Sequence, residues 1–349
     1  MAPPTYPVLS PDLFFPGQAE TEQAVQTALL RILQARNPGV KAPSFEQNRR
    51  ARLRGQRLFE CRLHRSGLSG LKEEQRHRVM ALARFGAQIA GPLTVHEVDQ
   101  WAAEVHHRTP WLGDLTTLLM HHMRSRIAVG RPGLSIPPLL LVGAPGTGKS
   151  WYARVVGEIG RAPVRAIDVA GGSAGFRIAG LEKGWASAGA GIPVETVLMH
   201  RIANPVFVVD EVDKAGQKVG STSGGVTSLT TSLLQVLEPE TAARFECPAY
   251  RVRFDLSQVS WILTANDLEG VPEPLRDRCH VVLMPEVTPE IAGLMFDTLL
   301  REIDADLDED ACGLAREAVV KAAEHGHVSL RQIRRILERI TLAVPQLLH

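Results

Sequence analysis

"LLLVGAPGTGKS", residues 139–150, is an apolar run that opens onto a glycine-rich loop ending in a lysine and a hydroxyl. Gly143, Gly148, Lys149 and Ser150 satisfy the spacing G-x-x-x-x-G-K-[ST], with Pro145, Gly146 and Thr147 between them. A run of that kind predicts a buried strand, and the residues after Ser150 predict a helix. Between the two, glycines let backbone N–H groups face inward, and the opening helix adds its positive end. Such a cradle holds the phosphates of a nucleotide. Lys149 is expected to reach the β- and γ-phosphates of ATP, and the Ser150 hydroxyl to bind Mg²⁺. A chance match is the bland alternative, and the strand–loop–helix context weighs against it.

Two further stretches repeat the pattern of an apolar run with polar residues at its end. "PVFVVDEVDK", residues 205–214, ends its strand on Asp210, placed for Mg²⁺, with Glu211 beside it to deprotonate an attacking water. "SWILTAND", residues 260–267, ends on Asn266. Continuous apolar runs of this length fit strands buried on both faces of a parallel sheet, with helices between. Ligands of such sheets bind beyond the carboxyl ends of the strands. Asn266 therefore gains a role that a plain turn would not give it. Its amide is expected near the γ-phosphate, orienting the lytic water.

Upstream of this α/β segment the texture is helical. Proline-rich residues 1–17 read as extended, and residues 20–33 read as a helix stopped by Asn37-Pro38-Gly39. A basic stretch follows, then helices over 71–90, from Thr94 as N-cap, and from Leu112 to Ile127. Between Arg49 and Arg78 arginines outnumber acids. That excess suits a nucleic-acid or partner surface, and equally the solvated faces of amphipathic helices. Downstream, Thr288-Pro289-Glu290 is a helix start, and three helical patterns follow it. The expected organisation is a helical N-terminal region (1–100), an α/β nucleotide-binding domain (101–286) and a small all-helical domain (287–349).

Composition excludes little. The chain has 349 residues, a net charge of +1 and 44% hydrophobic residues, ordinary for a soluble protein with real cores. Global charge points to no polyanionic partner. Cys61, Cys247, Cys279 and Cys312 lie far apart, without zinc-ligand spacing, and read as reduced thiols. No apolar run approaches the ~18 residues of a membrane span, and the first residues lack a signal-peptide pattern. Cytoplasm is the expectation, with no membrane partner.

These motifs, in this order, resemble an AAA+ ATPase, with a P-loop core of parallel sheet flanked by helices and a helical lid. "LLQVLEPE" (233–240), "YRVRFDLSQVSWILTAND" (250–267) and "VPEPLRDRC" (271–279) narrow the resemblance to the Lon family. The likeness runs from about Pro138 to the C-terminus and leaves residues 1–100 uncovered. It implies that Arg278 is the arginine finger that reaches a neighbouring subunit's ATP, with Arg276 its local competitor. It implies that Arg331, in "SLRQIRR" (329–335), is the second sensor, touching the γ-phosphate from the lid. Trp185 and Ala186, in "WASAGAG" (185–191), stand where Lon has its aromatic pore loop, which grips polypeptide; an ordinary core tryptophan is the other reading. Residues 214–228, glycine-rich and poor in apolar groups, are expected to form a second loop facing the same channel. Lon continues into a Ser-Lys protease domain, and this sequence has no segment for one. The resemblance thus implies a self-assembled ring, a hexamer, that remodels or unfolds protein substrates without cutting them. A nucleic-acid-directed motor or loader is a second reading, disfavoured by the apolar Trp185 loop. A nucleotide-switched assembly scaffold is a third.

Overall fold

The computed structural model describes residues 4–169, 174–182, 189–216, 229–303, 309–326 and 328–343. Trp185, Ala186 and residues 217–228 of the second predicted loop lie outside the described residues.

The chain opens with strand β1 (Thr5–Tyr6) and rises through a helical hairpin, α1 (Gln18–Arg36) and α2 (Phe45–Arg65). Helix α3 (Glu73–Phe85) and strand β2 (Ala87–Gln88) follow, then α4 (Val95–Arg108) and α5 (Gly113–Ala128). The α/β segment contains β3 (Leu139–Val142), α6 (Lys149–Ile159), β4 (Val164–Asp168), α7 (Ala174–Ala179), β5 (Gly180–Leu181) and β6 (Gly189–Ala190). It continues with α8 (Ile192–His200), β7 (Val206–Asp210), α9 (Leu229–Leu237) and α10 (Pro239–Ala242). The hairpin β8 (Phe245–Cys247) and β9 (Val252–Phe254) precedes β10 (Ser260–Ala265), α11 (Glu273–Arg276) and β11 (His280–Leu283). Helices α12 (Pro289–Arg301), α13 (Glu309–Ala323) and α14 (Leu330–Ala343) form the helical end.

Five strands make one parallel sheet in the order β11-β3-β10-β7-β4. The three inner strands are the three apolar runs read from the sequence. Their alternate residues feed two cores, one on each face: Leu140, Phe207, Val209, Trp261 and Leu263 on one, Leu139, Leu141, Val206, Val208 and Ile262 on the other. Phe207 and Trp261, on neighbouring strands, stack with centroids 5.0 Å apart. The outer strands differ. β4 reads Val-Arg-Ala-Ile-Asp with only Ile167 buried, and no residue of β11 is buried. β4 lacks the unbroken apolar run, and β11 keeps a short one, residues 281–283, but leaves it exposed or half-buried, because an edge strand has an open flank.

The N-terminal segments join the same core. β1 pairs antiparallel with β2, and Val8 accepts a backbone hydrogen bond from Asp255 at 2.8 Å. Val8, Leu9, Leu68, Val79 and Leu82 pack into the cluster that holds Phe207 and Trp261. The helix expected over 71–90 ends at Phe85, because Gly86 turns with φ +67°. A side chain there would lie 2.8 Å from the Tyr6 carbonyl, so the turn that brings Ala87 beside β1 requires glycine. Helix α4, capped by Thr94 as expected, runs unbroken through residue 100.

The α1–α2 hairpin is different in kind. In α2 only Ala51 and Gly55 are buried, where the helix meets α1. Residues 18–65 carry ten basic and four acidic side chains in a chain of net charge +1. Arg50, Arg54, Arg57 and Arg65 recur at helical spacing and are all exposed. Among the described residues no helix is long and apolar enough to cross a membrane.

The helical end begins as its sequence predicts: the Thr288 hydroxyl accepts from the Ile291 N–H, with Pro289 at the first helical position. Phe296, Ile333 and Leu337 are fully buried and share a core cluster with Tyr152 and Val156 of α6. Arg108 ties this end to the sheet module, pairing with Glu302 at 2.9 Å and with Glu158 at 3.1 Å.

Candidate nucleotide site

At the carboxyl end of β3 the chain turns through residues 143–148 into α6. Gly146 and Gly148 hold φ of +87° and +98°, a region that favours glycine. This is the cradle expected from the spacing. Lys149, nearly buried, donates to the Gly143 carbonyl at 2.6 Å, to the Ala144 carbonyl at 3.1 Å and to Asn266 Oδ1 at 3.3 Å. Burial pushes its ammonium pKa down, opposed by the charges of Asp213, Asp210 and Glu211. The Thr147 hydroxyl turns back into its own loop, donating to the Ala144 carbonyl.

Adjacent strand ends bring the remaining groups in. Ser150 Oγ donates to Asp210 Oδ1 at 2.8 Å, and Thr264 Oγ donates to the same oxygen at 3.0 Å. Glu211 has φ +61°, unusual for a residue with a side chain, and its N–H donates to Thr264 Oγ at 3.1 Å. Its carboxylate accepts from Lys214 Nζ at 2.6 Å, and that hydrogen bond raises the Lys214 pKa. The Asn266 N–H donates to Asp213 Oδ2 at 3.2 Å, while Asp213 Oδ1 is buried without a partner among the described residues. Asp213 and Thr264 escaped the sequence reading. Each sits two residues from a named site residue, the signal that could have found them. One hydroxyl and one carboxylate side by side fit Mg²⁺, which takes few protein ligands and shares its shell with water and phosphate oxygens.

These groups line a cleft of about 620 Å³, whose walls include Lys149, Ser150, Asp210, Glu211, Asn266 and, from the helical end, Arg331. Trp151, Arg154, Arg177 and Arg334 line it as well, and sequence motifs named none of them. The helical end presses directly on the loop: the Leu330 N–H donates to the Gly146 carbonyl at 2.8 Å. A Cβ on Gly146 would fall 2.2 Å from Ser329 Cβ, as well as straining φ. Gly146→Ala is therefore expected to weaken nucleotide binding by about tenfold or more, since left-handed backbone alone costs about 1–2 kcal/mol. Titration with a fluorescent ADP analogue measures this; wild-type affinity would refute the cradle geometry.

Arg278 stands apart from the cleft of its own chain. It precedes β11, whose first residue pairs with Leu139, the first residue of β3. It thus lies toward the amino end of the sheet, roughly 13 Å of strand from the loop. There it pairs with Glu238 at 2.6 Å and donates to the Pro274 carbonyl at 3.2 Å. Its neighbour Arg276 buries Nε without a partner among the described residues.

Comparison with known proteins bears on this geometry. Residues 139–286 match the family described as "ATPase family associated with various cellular activities (AAA)". The match spans the α/β module. Over it the chain is similar to Lon proteases: it is 34% identical over 224 residues to the Lon protease of Magnetococcus marinus, covering 59% of this chain and 27% of that protein. It is 31% identical over 179 residues to the peroxisomal Lon protease homolog 2 of Kluyveromyces lactis, covering 49% and 17%. The chain thus spans about a quarter or less of the length of these relatives. In fold it is similar to Hsp104, solved in a closed state with ATPγS and FITC casein, with a TM-score of 0.56 and 14% identity. That likeness covers 81% of this chain and 50% of the Hsp104 chain.

Proposed function

We propose that the chain is a Mg²⁺-dependent ATPase that works as a homo-oligomeric ring, a hexamer, and remodels or unfolds protein substrates without proteolysis of its own. The observation that carries the reading is the meeting of Lys149, Ser150, Asp210, Glu211 and Asn266 at the ends of adjacent strands, with Arg331 facing them across the cleft. The likeness to Lon proteases over this module supports it, as does the Hsp104 structure's casein.

In this reading Lys149 and the loop N–H groups bind the β- and γ-phosphates of ATP. Mg²⁺, held by Ser150 and through water by Asp210, would neutralise developing charge on the phosphates. Asn266 orients the lytic water in line with the γ-phosphorus. Glu211 takes the proton of that water once its carboxylate leaves Lys214. Arg331 and a neighbouring subunit's Arg278 stabilise the charge of the transition state. ATP turnover measured with and without a chelator, alongside native mass spectrometry, tests the reading. A monomer with full Mg²⁺-independent turnover would sink it.

The N-terminal unit, residues 1–100, then recruits the partner, and residues 287–349 serve as lid. Trp185 and Ala186 grip the polypeptide in the central channel. Trp185→Ala should keep basal turnover and the thermal midpoint while losing stimulation by an unfolded protein such as casein. A packed tryptophan would instead cost about 3–5 kcal/mol of stability. Thermal unfolding and stimulated turnover on one preparation separate the two.

The exposed arginines of α2 favour a second reading, a motor directed at nucleic acid. It requires binding that weakens steeply with salt. Unchanged single-strand binding after Arg50, Arg54, Arg57 and Arg65 are replaced by glutamine would exclude that face.

A further inference from the structure

Resting on the ATPase reading of the same cleft, we propose that Trp151 and Arg334 are positioning residues that clamp the helical lid to the phosphate-loop helix and thereby aim Arg331. Trp151 follows Ser150 directly, in the first turn of α6. It is 7% exposed, and its indole N–H has no partner among the described residues. Two guanidinium groups lie over its ring: Arg154, from the next turn of α6, at 4.4 Å and Arg334, from α14, at 4.8 Å. Both distances are those of cation–π contacts. Arg334 has no ion pair among the described residues, so the ring is the contact that holds it.

Burial of Leu330, Ile333 and Leu337 sets which face of α14 turns to the core. Helix α14 is pinned at its start, where the Leu330 N–H meets the Gly146 carbonyl, and again one turn on, where Arg334 rests on Trp151. Arg331 lies between these points and shares a helix face with Arg334, three residues away. The two contacts steady that face against the phosphate loop, and both arginines line the cleft. Arg154 is itself steadied by Glu158 at 3.6 Å, and Glu158 by Arg108, which also holds Glu302 at the end of α12. The cleft wall carries Lys149, Arg154, Arg177, Arg331 and Arg334 against Asp168, Asp210 and Glu211. A neutral ring lets two of these like charges stand close together, and a bound polyphosphate would relieve what repulsion remains.

Steady-state ATP turnover of the full chain tests the clamp. Arg334→Ala should lower kcat/KM by about 2- to 30-fold, the range of a partly desolvated cation–π contact. Arg334→Lys, which keeps the cation, should regain most of it, as should Trp151→Phe relative to Trp151→Leu. The double variant Trp151→Leu/Arg334→Ala should be no worse than its poorer parent. Added to Arg331→Ala, Arg334→Ala should cost nothing further, which a residue supporting only the fold would not satisfy. Full kcat/KM in Arg334→Ala, or a loss that multiplies with that of Arg331→Ala, overturns the clamp while leaving the ATPase reading standing. An Arg331→Ala protein with unchanged kcat/KM also overturns the clamp, whereas a wild-type chain without ATP turnover overturns the ATPase reading itself. Where Trp151→Leu fails to fold, the Arg334 series decides alone, because that side chain leaves the core untouched.

Discussion

Arg278→Ala is expected to lower ATP turnover by about 10³–10⁵-fold while each subunit still binds nucleotide near normally, as for arginine fingers that act only in the transition state. The side chain lies toward the amino end of the sheet, beside Glu238, away from the cleft of its own chain. In the proposed ring it would stabilise phosphate charge in a neighbour's site. The sharper form of the experiment mixes Arg278→Ala with Lys149→Ala subunits, each inactive alone. A mixed ring contains interfaces that pair an intact loop with an intact finger, so turnover should partly return. Rings shown by mass to be mixed, yet no more active than their parents, would exclude a finger acting between subunits. Arg276→Ala is the control, since the Arg276 Nε is buried within its own chain.

The second large effect divides binding from hydrolysis. Lys149→Ala should abolish nucleotide binding, because this nearly buried ammonium is the positive charge held inside the phosphate loop. Glu211→Gln should keep ATP bound and slow turnover by about 10²–10⁴-fold, the usual worth of a positioned general base. The glutamine preserves the shape of the side chain and the hydrogen bond of its backbone N–H to Thr264. Equilibrium binding and single-turnover rates distinguish the cases. Wild-type turnover in Glu211→Gln would assign the base elsewhere, and Asp213, with one carboxylate oxygen buried and unpartnered among the described residues, would be the next to replace.

Much of the nucleotide site was legible in the chain because its chemistry is local. Gly143 to Ser150 closes a loop within eight residues, and the φ values of Gly146 and Gly148 need no distant partner to demand glycine. The inner strands β3, β7 and β10 were legible because burial on both faces leaves each of them mainly apolar, with Asp210, Ser260 and Thr264 the exceptions. The outer strands were not, since Arg165 and Asp168 break the run of β4 and only three apolar residues, 281–283, follow His280 in β11. The helix expected to reach residue 90 stopped at Gly86, because the chain there is captured as a strand by residues 5–6.

By itself, then, the sequence determined a phosphate loop, the acids that follow one apolar run, and an asparagine that ends another. Each depends on neighbours a few bonds away. Only the tertiary structure decided that Ser150 and Thr264 meet on one oxygen of Asp210, that Lys149 reaches Asn266, and that the helical end touches Gly146. It alone brought Arg334 to Trp151. Those contacts join residues far apart in the chain, and their positions follow from the order of strands in the sheet and the burial of the apolar face of α14. Spacing along a sequence cannot encode either, because both are set by which surfaces exclude water together.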